Sequence, residues 1–154
     1  MTPASRWQRT NSFHHSEFTA DRLAAHRTAK VSVCLPARDE ARTIGPILEE
    51  LIPLQERGVV DQVVVVDHSA DGTADVARGL GAEVHQQADL MPEWGPVLGK
   101  GDAMWRALSV LEGEVVCFLD ADTEDFRPHF ATGLIGALCC EPGVRFAKAF
   151  YRRP

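Results

Sequence analysis

Residues 115–122 read Val-Val-Cys-Phe-Leu-Asp-Ala-Asp, an apolar run that ends in two aspartates. The run is short and almost wholly apolar, which predicts a strand, residues 115–119, buried on both faces of a parallel sheet. Such a strand delivers Asp120 and Asp122 to its carboxyl end, where open α/β sheets bind their ligands. Carboxylates in that place suit Mg²⁺, which one or two of them usually hold together with phosphate oxygens. The alternative is a plain turn, since Asp is common in turns and helix caps.

Strands and helices alternate on both sides of this stretch. Apolar runs predict buried strands, apolar residues at helical spacing predict helices, and Gly or Pro marks where the helices stop. The strands are predicted at 31–36, 63–66, 82–85 and 144–151, and the helices at 44–54, 74–80, 128–140 and from about 100 onward. This alternation predicts an α/β fold with a mostly parallel, Rossmann-like sheet and flanking helices over residues 31–154. Residues 1–30 are predicted to form a partly helical lead-in, with Phe18 and Leu23 packed onto the domain.

The loops after the strands exclude two common nucleotide sites. A dinucleotide-binding fold would carry Gly-x-Gly-x-x-Gly after its first strand, but residues 35–40 contain no glycine. A P-loop would carry Gly-x-x-x-x-Gly-Lys-Ser/Thr, and Gly99-Lys100-Gly101-Asp102 matches only the end of that pattern. The Gly-rich, Arg-containing first loop of sugar-nucleotide pyrophosphorylases is also absent. A transferase that uses a nucleotide-diphospho-sugar remains.

Four segments carry a resemblance to one family of such transferases. Residues 35–44 and 66–74 resemble the first two loops of GT-A glycosyltransferases, whereas 99–106 and 148–154 resemble the glucosyl-3-phosphoglycerate synthases in particular. The resemblance runs from about Trp7 to the last residue. It implies a GT-A fold, a divalent metal (Mg²⁺ or Mn²⁺), and transfer of glucose from UDP-glucose to 3-phosphoglycerate with retention. It assigns no catalytic nucleophile.

The resemblance also implies a set of site residues. Pro36, Ala37 and Glu40 are expected at the uridine, Asp67 and Ser69 at the base or ribose, and Gly99 and Lys100 at the donor nucleotide. Asp120 and Ala121 are expected beside the donor. Asp122 is expected to bind the metal, and Asp120 to help hold that metal. Asp39 stands where the family commonly has Asn, and Ala121 where Ser often occurs.

Simpler roles remain open for several of these residues. Lys100 could be a solvated residue near a helix start, although the helix dipole disfavours a cation there and a bound diphosphate would offset this. Glu40 could be only a favourable first-turn acid. Lys148, Arg152 and Arg153 could be surface charges or could bind an anionic acceptor, since Arg pairs well with phosphate and carboxylate. Met104, Ala107, Leu108 and Leu111 are predicted to be core, and Trp94 and Trp105 to be packing residues.

The composition narrows the partners and the compartment. A net charge of −6 argues against non-specific nucleic-acid binding. No apolar run is long enough to span a bilayer, so stable membrane insertion is not expected. Four cysteines on apolar elements, without zinc-motif spacing, favour a reducing cytoplasm. A homodimer is a further option.

The last predicted strand ends close to the last residue of the chain. A domain seldom ends in this way, so we expect the chain to be the donor-binding half of a longer, family-sized protein, with an acceptor loop and a histidine metal ligand lying beyond it. The isolated chain is then expected to turn over poorly. Two other functions stay open: a polyprenyl-phosphate glycosyltransferase of the same fold, and a non-catalytic donor-binding module.

Overall fold

The computed structural model describes residues 2–150 and shows a central parallel sheet with helices packed around it. The strands are β1 (Val31–Ala37), β2 (Gln62–Asp67), β3 (Glu83–Gln86) and β4 (Val115–Phe118). The helices are α1 (Pro3–Thr10), α2 (Ala20–His26), α3 (Ile44–Glu56), α4 (Thr73–Gly79), α5 (Lys100–Ala107) and α6 (Pro128–Cys140). Short 3₁₀ turns lie at His15–Glu17, Gln87–Asp89 and Pro92–Trp94. Among residues 2–150, no helix has the length and apolarity needed to cross a membrane.

The sheet has the strand order β3-β2-β1-β4, and every pairing in it is parallel. Strands β1 and β2 are buried along their whole length, which explains their nearly unbroken apolar sequences. The chain builds outward from β1 through β2 to β3, then returns to place β4 on the other side of β1. The strand order therefore reverses between β1 and β4, and such a switch point is where open α/β sheets bind ligands.

Helix α3 covers one face of the sheet and supplies much of the core. Ile44, Ile47, Leu48, Leu51 and Leu54 are all buried, as their helical spacing predicted. Gly58 follows the helix with a φ of 72°, a conformation that glycine adopts without strain. Pro53 lies inside α3, within the range that the helical spacing predicted.

The lead-in packs onto the domain as predicted. Phe18 and Leu23 are buried, and the 3₁₀ turn at His15–Glu17 contacts α6. The contact is close at Gly136, where an added Cβ would come within 2.3 Å of the Phe18 side chain.

Strand β4 is less buried than its sequence predicted. It forms one edge of the sheet described for residues 2–150, and only Cys117 within it is buried. The prediction of burial on both faces is therefore wrong, because an apolar sequence does not reveal whether a strand is central or at an edge.

Residues 144–150 do not form the predicted strand. Apart from a bond from the Val144 amide to Glu141, the described part of this segment makes no backbone hydrogen bond, and Phe146 and Phe150 are exposed. A β-strand needs a neighbouring strand to pair with, and none of the described strands lies beside this segment. Tyr151 lies outside the described residues.

Three predicted packing positions on or near α5 are also exposed. Leu108 lies just beyond the helix and is 55% exposed, whereas Ala103, Arg106 and Ala107 form the buried face. Trp94 and Trp105 contact each other edge to face with ring centres 5.8 Å apart, but both face solvent. The buried face of α5 is therefore rotated from the predicted one: it keeps the predicted Ala107 but includes Arg106, a charged residue that a search for apolar spacing does not mark.

Candidate functional site

A cleft of about 180 Å³ lies at the switch point, between the carboxyl ends of β1 and β4. Most of the predicted site residues line it: Pro36, Ala37, Glu40, Gly99, Lys100, Ala121 and Asp122. Asp67, Ser69 and Asp120 are not among the lining residues. The predicted residues in the cleft come from three separate segments, namely the end of β1, the start of α5 and the turn after β4.

Five further residues, not predicted from the sequence, also line the cleft. They are Arg38, His68, Gln87, Leu98 and Ala103. The first two directly follow strand-end residues that were predicted, so proximity along the chain could have indicated them. Gln87 and Leu98 belong to the irregular segment 87–98, whose path has no periodic signal in the sequence.

The loops after β1 and β2 are joined by reciprocal hydrogen bonds. The Asp39 amide donates to Ser69 Oγ at 2.8 Å, and the Ala70 amide donates to Asp39 Oδ1 at 2.8 Å. Asp39 has a φ of 58°, a left-handed conformation that Asp and Asn tolerate better than most residues. An Asn at this position could keep both the backbone conformation and the Oδ1 acceptor. Ser69 thus shapes the first loop, and its predicted contact with a ligand remains a prediction.

A second pair of bonds continues this connection toward α4. The Glu40 amide donates to Thr73 Oγ1 at 2.9 Å, and the Ala41 amide donates to Asp71 Oδ2 at 3.2 Å. The Thr73 hydroxyl bond, helped by the Thr73 amide, lowers the pKa of Asp71 below its ordinary value. Together these bonds hold the backbone around Glu40, whose own carboxylate accepts from Thr43 Oγ1 at 3.0 Å.

Asp67 ends β2 and is buried with an unsatisfied oxygen. Gln86 Nε2 donates to its Oδ2 at 2.9 Å, whereas its Oδ1 has no hydrogen-bond partner in the described structure. Buried polar atoms in native proteins nearly always have partners, so Oδ1 is an acceptor open to a water or ligand donor. The next residue, His68, lines the cleft.

Of the two aspartates after β4, Asp120 has an ion-pair partner, whereas Asp122 has no side-chain partner among the described residues. Asp120 forms an ion pair with Lys100, and more than half of each side chain is exposed. Asp122 lines the cleft and has no side-chain partner among residues 2–150. Because exposed ion pairs contribute little free energy, a ligand or cation could take over either partner. Asp122 at the cleft, with Asp120 two residues before it in the chain, would be a partial ligand set for Mg²⁺ or Mn²⁺, with phosphate oxygens as further ligands.

The segment that carries Leu98 into the cleft is held by a buried ion pair. Arg106 Nε donates to Asp102 Oδ2 at 2.8 Å, and only 1% of the Arg106 side chain is exposed. The bond from the Leu98 amide, with help from Gln87 and Arg106, lowers the pKa of Asp102 below its ordinary value, although partial desolvation opposes this. This pair was not predicted from the sequence.

A parallel four-stranded sheet with flanking helices and a cleft at its switch point is the arrangement of the GT-A class of glycosyltransferases. The Glycosyl transferase family 2 profile matches residues 32–139, and the chain belongs to that family.

Three similar proteins place the chain further within this class. A glucosyl-3-phosphoglycerate synthase from Mycolicibacterium smegmatis is 39% identical over 151 residues, which cover 97% of this chain and 50% of that protein. The crystal structure of mannosyl-3-phosphoglycerate synthase from Rubrobacter xylanophilus is 48% identical, with a TM-score of 0.93, and the match covers 98% of this chain and 51% of that one. Glucosyl-3-phosphoglycerate synthase from Mycobacterium tuberculosis, solved with Mn²⁺, UDP and glucosyl-3-phosphoglycerate, is 35% identical with a TM-score of 0.82, covering 92% of this chain and 51% of that one. The chain thus spans about half the length of the curated relatives it matches.

Proposed function

We propose that this protein binds a nucleotide-diphospho-sugar and takes part in hexosyl transfer to 3-phosphoglycerate, with UDP-glucose as the donor. The observation that carries the proposal is the cleft that unites Asp122 and Lys100 beside Pro36 and Ala37. A solved relative that is 35% identical holds Mn²⁺, UDP and glucosyl-3-phosphoglycerate, which supports the same ligands here.

The chemistry needed for this reaction matches the charges at the cleft. Departure of UDP builds negative charge on the diphosphate, and a bound Mg²⁺ or Mn²⁺ acts as a Lewis acid that offsets it. Asp122 and Asp120 would hold that cation. Lys100 supplies a second positive charge at the start of α5, where amide groups also favour an anion. The linked loops after β1 and β2 would place Glu40, Asp67 and Ser69 around the nucleoside.

A mannosyl donor is the second candidate. The Rubrobacter xylanophilus structure is a mannosyl-3-phosphoglycerate synthase and is 48% identical, a higher value than the 35% of the Mycobacterium tuberculosis structure. The cleft also has a lining residue, Arg38, whose guanidinium has no partner among the described residues. A direct comparison of UDP-glucose with GDP-mannose decides which donor the protein uses.

The same proposal places the protein in the cytoplasm. Cys34 and Cys117 lie in adjacent strands, and burial raises the pKa of each thiol to about 12. Thiols of this kind are unreactive and suit a reducing compartment.

The first experiment is calorimetry of UDP binding with Mn²⁺ and with EDTA. We expect affinity that needs the metal and falls sharply in Asp122→Asn, but not in the control Glu124→Gln, an exposed acid two residues away. Metal-independent binding, or equal affinity in Asp122→Asn, would refute the site.

The second experiment measures release of UDP from UDP-glucose, and of GDP from GDP-mannose, with and without 3-phosphoglycerate. Release that depends on the acceptor identifies both donor and acceptor. Metal-dependent UDP binding without any acceptor-dependent release would limit the function to donor binding.

A further inference from the structure

Arg106 is the largest fully buried side chain among the described residues, and its five N–H groups all face acceptors. Its Nε donates to Asp102, Nη1 donates to the carbonyls of Leu90 (2.6 Å) and Met91 (2.9 Å), and Nη2 lies 2.9 Å and 3.4 Å from the carbonyls of Gly95 and Pro96. A guanidinium offers five donors in a fixed plane, and here all of them are used. Burial of this charge is thus compensated by one carboxylate and four carbonyls.

The four carbonyls all belong to the irregular segment 87–98. Within it, Met91 has a φ of 51°, an uncommon and strained conformation for a residue with a side chain. Both the Leu90 and Met91 carbonyls bind the same Nη1 group, so the guanidinium holds the backbone where it is strained. Segment 87–98 has no strand or α-helix of its own among the described elements, and Arg106 provides the fixed bonds that such an element would supply.

Asp102 connects the same guanidinium to the cleft. Its Oδ2 also accepts from Gln87 Nε2 at 2.7 Å and from the Leu98 amide at 3.1 Å. Gln87 and Leu98 line the cleft, and Leu98 directly precedes Gly99 and Lys100, which line it too. Asp102 is the third residue of α5 and reaches back past the N-cap residue, Gly99, to the amide of Leu98. The pair therefore fixes both ends of segment 87–98.

We propose that Arg106 and Asp102 are positioning residues for the nucleotide: by fixing segment 87–98, they keep Gln87, Leu98, Gly99 and Lys100 in place to bind the donor diphosphate. This inference rests on the proposed function, because it concerns the same cleft. Neither residue needs to touch the ligand. Their effect is on affinity, since a mobile segment must be ordered at each binding event.

The test compares Arg106→Lys with the wild-type chain. Lysine keeps the charge and can pair with Asp102, but a single ammonium cannot reach carbonyls on both sides of the segment. The matched control is Arg78→Lys, which alters an exposed ion pair with Asp75 on α4. Two quantities are measured: Mn²⁺-dependent UDP affinity, and hydrogen exchange of the peptide 87–99 relative to β1 and β2.

We expect Arg106→Lys to weaken UDP affinity at least tenfold, to speed exchange in 87–99 at least tenfold, and to leave exchange in β1 and β2 unchanged. Arg78→Lys should change neither. Wild-type affinity in Arg106→Lys would overturn the proposal, and so would equal loss of protection in the sheet, because the pair would then serve only global stability.

A second variant, Asp102→Asn, keeps the proposal testable if Arg106→Lys fails to fold. Asp102→Asn keeps the size of the side chain but removes the charge shared by Arg106, Gln87 and Leu98. It should reproduce both effects, and the double variant should be no worse than the worse single one, since the two residues act as a unit. Additive losses would contradict the proposal. If the wild-type chain itself shows no metal-dependent UDP binding, the proposed function fails. Exchange in 87–99 then still shows whether the pair fixes the segment.

Discussion

Asp67 does not line the cleft, but it carries a buried carboxylate oxygen without a partner among the described residues and directly precedes His68, which does line it. Asp67 is 2% exposed, yet only one of its two oxygens has a hydrogen-bond partner in the described structure. Leaving a buried acceptor unsatisfied costs about 1–3 kcal/mol, more if it is charged. That cost persists in the free protein and would be relieved by a hydroxyl or N–H donor from a bound nucleoside.

Asp67→Asn should therefore weaken nucleotide binding without unfolding the protein. Hydrogen bonds to charged groups contribute about 1.5–3 kcal/mol, so we expect UDP affinity to fall by about 10–100-fold. The melting temperature should stay the same or rise, because a buried charge has been removed. Calorimetry and thermal unfolding measure both effects, with the exposed Asp75→Asn as control. Unchanged affinity would mean that Oδ1 does not meet the ligand.

At the residue scale, position along the chain predicted part of the site. Pro36, Ala37, Ala121 and Asp122 follow or end strands, so the parallel topology alone brings them to one edge of the sheet. Arg106 could not be found this way. Its role depends on backbone carbonyls of an irregular segment, and these carry no sequence signal.

At the scale of elements, the contact between the lead-in and α6 combines tight packing with stacked histidines. Phe18 lies against Gly136, and His15 stacks on His129 with ring centres 4.1 Å apart. His14 continues the stack at 4.3 Å from His15. The lead-in is therefore attached by the buried side chains of Phe18 and Leu23 and by the stacked histidine rings.

Gly136→Ala should loosen this attachment. The added Cβ would lie 2.3 Å from the Phe18 side chain, and overpacking of this kind costs about 1–3 kcal/mol. Chemical denaturation measures the loss, and hydrogen exchange should place it in residues 12–26. Gly79→Ala, at the end of α4 with open space around it, should be neutral or stabilise by at most about 1 kcal/mol. Equal effects from both changes would contradict this assignment.

His129 should make the attachment sensitive to acid. Desolvation, followed by the charges of His15, Arg127 and His14, lowers the pKa of His129 below its ordinary value of 6.5. The unfolded chain therefore takes up the proton first, and stability falls as the pH drops below about 6.5. His129→Gln should flatten this pH dependence, whereas His26→Gln on α2 should not. Unfolding curves between pH 7.5 and 5 test this, and identical slopes in the two variants would refute it.

Most helices and strands were predictable from the sequence, whereas their burial and their pairing partners were less predictable. Apolar runs and helical spacing located β1, β2, α3 and α6, because local patterns decide such elements. The expected strand at 144–151 was wrong over its described part. Whether an apolar segment becomes a strand depends on a neighbour to pair with, which the segment's own sequence does not contain.

In the whole molecule, the switch point of the sheet is also where the charged residues Lys100 and Asp122 lie together. The chain carries a net charge of −6, so an anionic nucleotide is not attracted by the protein overall. Under the proposed function, nucleotide binding depends on local groups: Lys100, the amides at the start of α5, and a cation that Asp122 would hold. Metal and nucleotide are therefore expected to bind together, because each supplies charge that the other needs.

This coupling should appear as a stability effect that needs both ligands. A ligand at 100 times its dissociation constant stabilises the folded state by ~2.7 kcal/mol, which for a chain of this size corresponds to a rise of about 5–10 °C in melting temperature. We expect that shift with UDP and Mn²⁺ together, and much smaller shifts with either alone. Asp122→Asn should abolish the joint effect, whereas Glu124→Gln should keep it. A full shift with UDP in EDTA would show that the diphosphate needs no cation, and that Lys100 and the helix start alone provide its positive charge.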